Sequence, residues 1–261
     1  MYLCALLASA AFGLALPMNI VALATLVFLG IGGIASIFHL QSPSRFFNAF
    51  SNLKSHLTQE AIITPLLGIA LVACGLNGLL FDAGGASVAI EWVTGVLALA
   101  FLVCTGLAYQ MRSRPAWNTP FIVVLFLLTA AEAGSIATVV VCLSGGPVVP
   151  AALSAAAVVC FLACVATQIS YTSRMRTVGY GVNVDAREQP YRTAYITWIA
   201  TGVAVAGLGL AAAIMFSSLA CAVVALVGSA AGIAAWTVLF FKGALKVKMF
   251  PMYPVDLNLD M

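Results

Sequence analysis

The sequence predicts an all-α integral membrane protein of about eight transmembrane helices arranged as four hairpins. Three observations predict it: the chain of 261 residues is 63% hydrophobic and only 7% charged, its apolar residues fall into eight long runs, and the connections between those runs alternate in charge. Ordinary soluble domains carry about 25% charged residues, and a soluble core of this length could not hide so much apolar surface. The expected surroundings are a lipid bilayer. A net charge of +3 indicates no general attraction to nucleic acid.

A helix needs about 20 mostly apolar residues to cross a bilayer, and backbone groups in hydrocarbon must be satisfied within the segment. Residues 1–261 therefore read as one transmembrane domain, with spans at about 1–16, 18–40, 60–81, 89–111, 119–143, 148–171, 193–216 and 218–241. The first run is the weakest, since 16 residues barely cross. No Lys/Arg-rich stretch precedes it, so it does not read as a cleavable signal.

Connections at Pro17–Asn19, 81–88, 144–147 and 217–218 contain no Lys or Arg. The others (41–59, 112–118, 172–192 and the tail from Lys242) hold all 11 basic residues of the chain. The positive-inside rule places these loops and both termini in the cytoplasm. Glycine- and alanine-rich stretches suit close helix packing. Gly228-Ser-Ala-Ala-Gly232 has G-x-x-x-G spacing and reads as packing rather than as a dimer motif.

The seven cysteines all lie in apolar runs and none forms C-x-x-C, so they read as small packing residues. With only His39 and His56, one closing a span and one in the following loop, a paired axial site is not expected; neither haem nor metal is expected in this chain. The absence of G-x-S-x-G, H-E-x-x-H and Walker patterns argues against a self-contained hydrolase.

The residues that could do chemistry cluster at one surface. His39 ends the second span. Ser42 is an N-cap residue with Pro43 at the first helical position, and Phe46, Phe47, Phe50, Leu53 and Leu57 at near-helical spacing predict a short interfacial helix over about 43–57. Glu60 is expected to open the third span on the same side. An imidazole at such a boundary can hydrogen-bond a quinone carbonyl and exchange a proton near neutral pH, and a nearby carboxylate can pass that proton on. Equally, His39 could anchor the helix among headgroups and Glu60 could simply favour a helix N-terminus. Glu132 is the one acid deep within a span; it must be protonated, paired or facing a polar cavity. Tyr109 and Trp117 bracket the 112–118 loop and look like interfacial belt residues.

The run Gly33 to Asn48, with Ala35-Ser36, His39-Leu40, Ser42-Pro43, Arg45 and Asn48, resembles the hallmark of the membrane anchor subunit of dimethyl sulfoxide reductase. Glu60, the Pro115–Pro120 stretch and Arg192 have counterparts there too. The family's last helix carries G-E-x-x-G-R-x-x-F-Y; here Gly228 and Gly232 fit, but Ser229, Ile233 and Trp236-Thr237 replace the acid, the arginine and the aromatic pair.

The resemblance implies an anchor for a molybdenum-containing catalytic subunit and an iron–sulfur subunit, working in anaerobic respiration at a prokaryotic plasma membrane. It further implies oxidation of exchangeable menaquinol, with His39, Arg45, Glu60, Ser42 and Asn48 shaping the quinol site. A polysulfide-reductase-type anchor is the related alternative. A small hairpin transporter would need broken helices and midplane polar residues in both halves, and a purely structural anchor would leave His39 without a ligand.

Overall fold

The apolar runs form helices. In the computed structural model the described residues are 1–39, 50, 52–77, 79–81, 84–111, 114, 116–146, 148–178 and 189–243; the predicted sites Ser42, Arg45 and Asn48 lie outside them. The helices are α1 (Tyr2–Phe12), α2 (Met18–His39), α3 (His56–Leu76), α4 (Ser87–Ala108), α5 (Phe121–Gly145) and α6 (Ala151–Val178). A continuous helical span follows, made of α7 (Gln189–Thr197), a π-helical segment (Trp198–Val205) and α8 (Ala206–Phe216), and then α9 (Leu219–Gly243). The chain is thus an all-helical, multi-pass membrane protein.

Seven helical stretches among the described residues are long and apolar enough to cross a membrane, and α1 is not one of them. Its 11 residues rise only about 16 Å, half of a hydrocarbon core of about 30 Å. It ends at Gly13, whose φ of 65° is left-handed backbone that a side chain would strain. What α1 lacks in length it makes up in contacts with α2, α4 and α5. Tyr2, 1% exposed, hydrogen-bonds Cys74 Sγ at 3.3 Å, and that sulfur meets Thr94 Oγ1 at 3.2 Å. Cys74 is therefore a polar link between α1, α3 and α4 rather than a plain packing residue.

The start of the third span also differs from expectation. Residues 52–55 form a turn with Ser55 in extended backbone at the N-cap, and α3 begins at His56. An interfacial helix cannot run to 57 as predicted, and Glu60 lies in the second turn of α3 instead of opening it. His56 is helical, its Nδ1 3.1 Å from Gln59 Oε1. The remainder of the expected interfacial helix falls outside the described residues, apart from Phe50.

The helices pack as antiparallel neighbours in two groups, α1–α4 and α5–α9, with α5 touching α1, α4, α6 and α9. Few residues of α2 and α4 are fully buried, as suits helices that face lipid. Between the π segment, α8 and α9 the backbones touch. A Cβ on Gly202 would sit 2.9 Å from Gly232 Cα, one on Gly232 would overlap Gly202, and one on Gly209 would sit 2.9 Å from the Ala225 nitrogen. Gly228 and Gly232 therefore face a helix of the same protein, which is the packing role expected for this G-x-x-x-G. The outer hairpin between α8 and α9 is closed by Ser217 in left-handed backbone, φ 48°, with the amides of Ser217 and Ser218 both bonded to the Ala213 carbonyl.

Candidate functional site

Antiparallel packing brings the end of α2, the start of α3, the end of α4 and the start of α5 to one end of the bundle. The ends of α6 and α9 and the start of α7 join them. Aromatic contacts verify the convergence: Trp117 stacks on Phe240 at 4.9 Å, Tyr109 stacks on Phe126 at 5.3 Å, and Tyr171 lies 5.5 Å from Phe240. This is also the basic end, where Arg114 sits 4.4 Å from the Trp117 ring centre, within cation–π range.

Of the five residues predicted to shape a site, Glu60 is the one whose side chain is described. It is half-buried. Thr105 Oγ1, on α4, donates to its Oε1 at 2.8 Å, and Thr64 Oγ1 caps its backbone carbonyl at 2.7 Å. Oε2 has no hydrogen-bond partner among the described residues. Tyr109 follows one turn after Thr105; burial, and then the charge of Glu60, push its hydroxyl above the usual tyrosine range. It therefore stays a neutral phenol at physiological pH, able to donate a hydrogen bond. His39 supplies the last residue of α2, at the same end as Glu60.

Trp117 is 3% exposed and belongs to a buried aromatic core with Tyr171, Trp198, Trp236 and Phe240. It is not the interfacial belt residue expected, because Ala116 and Trp117 are buried at the bundle end. Thr105 was missed by sequence reasoning. Its hydroxyl also bonds the Phe101 carbonyl at 2.9 Å, the usual way a helical threonine is satisfied in an apolar run, so nothing in the sequence marks it as a partner for Glu60.

The buried Glu132 lies far from this end. It lines a small cavity with Cys164, Gln168, Trp198 and Ser229. Gln168 Oε1 accepts a 2.8 Å hydrogen bond from Trp198 Nε1. Among the described residues no cluster of three His, Cys, Asp or Glu could hold a metal ion.

A family model described as DMSO reductase anchor subunit (DmsC) matches residues 14–243. The chain belongs to this family. Among curated proteins it is similar to a subunit of the anaerobic dimethyl sulfoxide reductase of Haemophilus influenzae, 31% identical over 113 residues. That similarity covers 42% of this chain and 40% of the relative's length. No solved structure matches significantly. The family match spans every helix from α2 to α9, so the basic end with Glu60 and the Glu132 cavity both fall inside it.

Proposed function

We propose that the chain anchors a molybdenum-dependent respiratory reductase in the prokaryotic plasma membrane and oxidises menaquinol at its basic end. The electrons pass to an iron–sulfur subunit docked there. Family membership supports the anchoring role. The observation that carries the quinol reading is Glu60: a half-buried carboxylate with one oxygen held by Thr105, at the end of the bundle where α2 finishes at His39.

Menaquinol supplies two electrons and two protons when bound. The residues fit such a substrate in chemistry. The imidazole of His39 can accept a hydroxyl proton near neutral pH. Glu60 is the next acceptor, with Thr105 fixing Oε1 so that Oε2 can receive a proton and release it to water. The aromatic side chains around Tyr109 offer an apolar wall for a fused ring, and its hydroxyl a donor. Both termini and the basic loops face the cytoplasm in this reading, following the positive-inside rule.

The test replaces His39 with Ala or Arg in the membrane-assembled complex and follows quinol oxidation alongside titration of a quinone-site inhibitor. Loss of both, with the partner subunits still attached, supports the reading. Normal oxidation would make His39 an interfacial anchor and remove the quinol site from this end.

A further inference from the structure

Three cations come together at the basic end from three separate elements. Arg174 is the 24th residue of α6 and Lys242 the 24th of α9, each about 35 Å of rise from the far end of its helix. That is past a hydrocarbon core of about 30 Å and level with the lipid headgroups. Arg114 belongs to the turn before α5, whose backbone is tied down: the amides of Trp117 and Asn118 both bond its carbonyl, at 2.8 and 3.1 Å.

The cations meet over an aromatic floor. The Trp117 ring stacks on Phe240 and holds the Arg114 guanidinium 4.4 Å from its centre. Phe241, the residue before Lys242, lies 5.6 Å from the same ring. Tyr171, one turn before Arg174, is fully buried, and the charges of both Arg114 and Arg174 reach its hydroxyl. The two guanidinium groups therefore converge on one part of the surface, although they lie far apart in the chain. A guanidinium offers a planar fork that matches two phosphate oxygens. Arg114 is already oriented by the Trp117 ring, so little of its freedom remains to be lost. Towards the membrane, Phe241 is 43% and Val238 39% exposed, an apolar strip of α9 leading away from the charges.

We propose that Arg114 and Arg174, with Lys242 beside them, bind the phosphate of an anionic phospholipid whose acyl chain lies along Phe241 and Val238. The guanidinium N–H groups donate to the phosphate oxygens. A zwitterionic lipid is disfavoured, because its own ammonium would face the three cations. Headgroup depth and the adjoining apolar strip favour a lipid over an acidic protein surface, which would meet the chain further out in water. The site requires neither quinol nor partner subunits, so it stands apart from the proposed oxidation at the basic end.

Native mass spectrometry of the full chain in non-ionic detergent, titrated with phosphatidylglycerol or phosphatidylcholine, resolves single lipid-binding events. A basic residue near an anionic surface contributes about fivefold, so two arginines are expected to give the first phosphatidylglycerol a preference of roughly 25-fold. Arg114→Gln combined with Arg174→Gln is expected to abolish that preference, whereas Lys54→Gln, which removes another exposed cation, should leave it intact. Circular dichroism checks that the variants are folded. Should the pair fail to fold, Arg174→Gln alone, at an exposed position, is expected to lose about fivefold. Equal binding of the two lipids by the wild type overturns the proposal without any variant. An equal loss in Lys54→Gln also overturns it, since the attraction would then be diffuse. Displacement of the lipid by inorganic phosphate at equal concentration would make this a free-anion site and refute the lipid assignment. In the assembled complex, arginine variants that shed the partner subunits yet still prefer phosphatidylglycerol would give the surface to a partner, which refutes it as well.

Discussion

Gly232→Ala is the substitution whose effect follows most directly from the structure. A methyl group on residue 232 would overlap the Gly202 backbone of the π segment, and backbone cannot swing aside as a side chain can. The two helices must part, on the order of 1 Å, before ordinary carbon–carbon contact near 3.5–4 Å is restored. That movement loosens a seam also containing Ala206, Gly209, Ala225 and Gly228. Overpacking of this kind costs about 1–3 kcal/mol. The added methyl gains nothing by leaving lipid, which is as apolar as the protein interior.

A loss of about 2 kcal/mol lowers the folded-to-unfolded ratio roughly thirtyfold. Gly68→Ala is the control, because a Cβ there meets nothing within 4 Å. The same chemical change is then expected to be neutral or to stabilise by up to about 1 kcal/mol, since alanine suits a helix interior better than glycine. Reversible unfolding in mixed micelles of increasing dodecyl sulfate content, followed by circular dichroism, measures both. Equal stabilities for the two variants would refute the close crossing of the π segment and α9.

The same unfolding assay reaches two further elements. Trp198→Phe strips Gln168 Oε1 of its donor inside the bundle and should destabilise by about 1–3 kcal/mol, with partial recovery when Gln168→Leu removes the stranded acceptor; no recovery would mean that ring volume, not the hydrogen bond, matters. Ser217→Gly relieves left-handed backbone at the α8–α9 hairpin and should add about 1 kcal/mol; a destabilised variant would contradict that geometry.

Much of this architecture was legible in the sequence. Each apolar run from the second onward forms a helical stretch long and apolar enough to span a membrane, because length and hydropathy leave hydrocarbon no other solution. The α1 boundary was not legible: its residues are apolar to Leu16, yet Gly13 turns the chain after three helical turns. At the start of α3 the hydrophobic spacing continues through Leu53 and Leu57, while Ser55 breaks the helix between them without a side-chain capping bond.

Glu60 and Glu132 stood out as ionisable residues in apolar surroundings, but their neighbours did not. Thr105 is separated from Glu60 by 45 positions, and Ser229 reaches the Glu132 cavity from another helix. Ser229 was visible only as the position where the family pattern carries an acid. The π segment Trp198–Val205 is uniformly apolar apart from Thr201 and carries no signal against a regular helix.

The most direct test of the quinol role is the oxidation rate of menaquinol by the assembled complex carrying Glu60→Gln, with Thr105→Val measured beside it. Proton acceptors in such positions contribute roughly 10²–10⁴-fold. Glu60→Gln is expected to slow oxidation by about 10²-fold while the partner subunits remain bound, and Thr105→Val to slow it less, because the carboxylate survives without its anchor. An unchanged rate in Glu60→Gln would contradict the assignment of the basic end as the site of quinol oxidation.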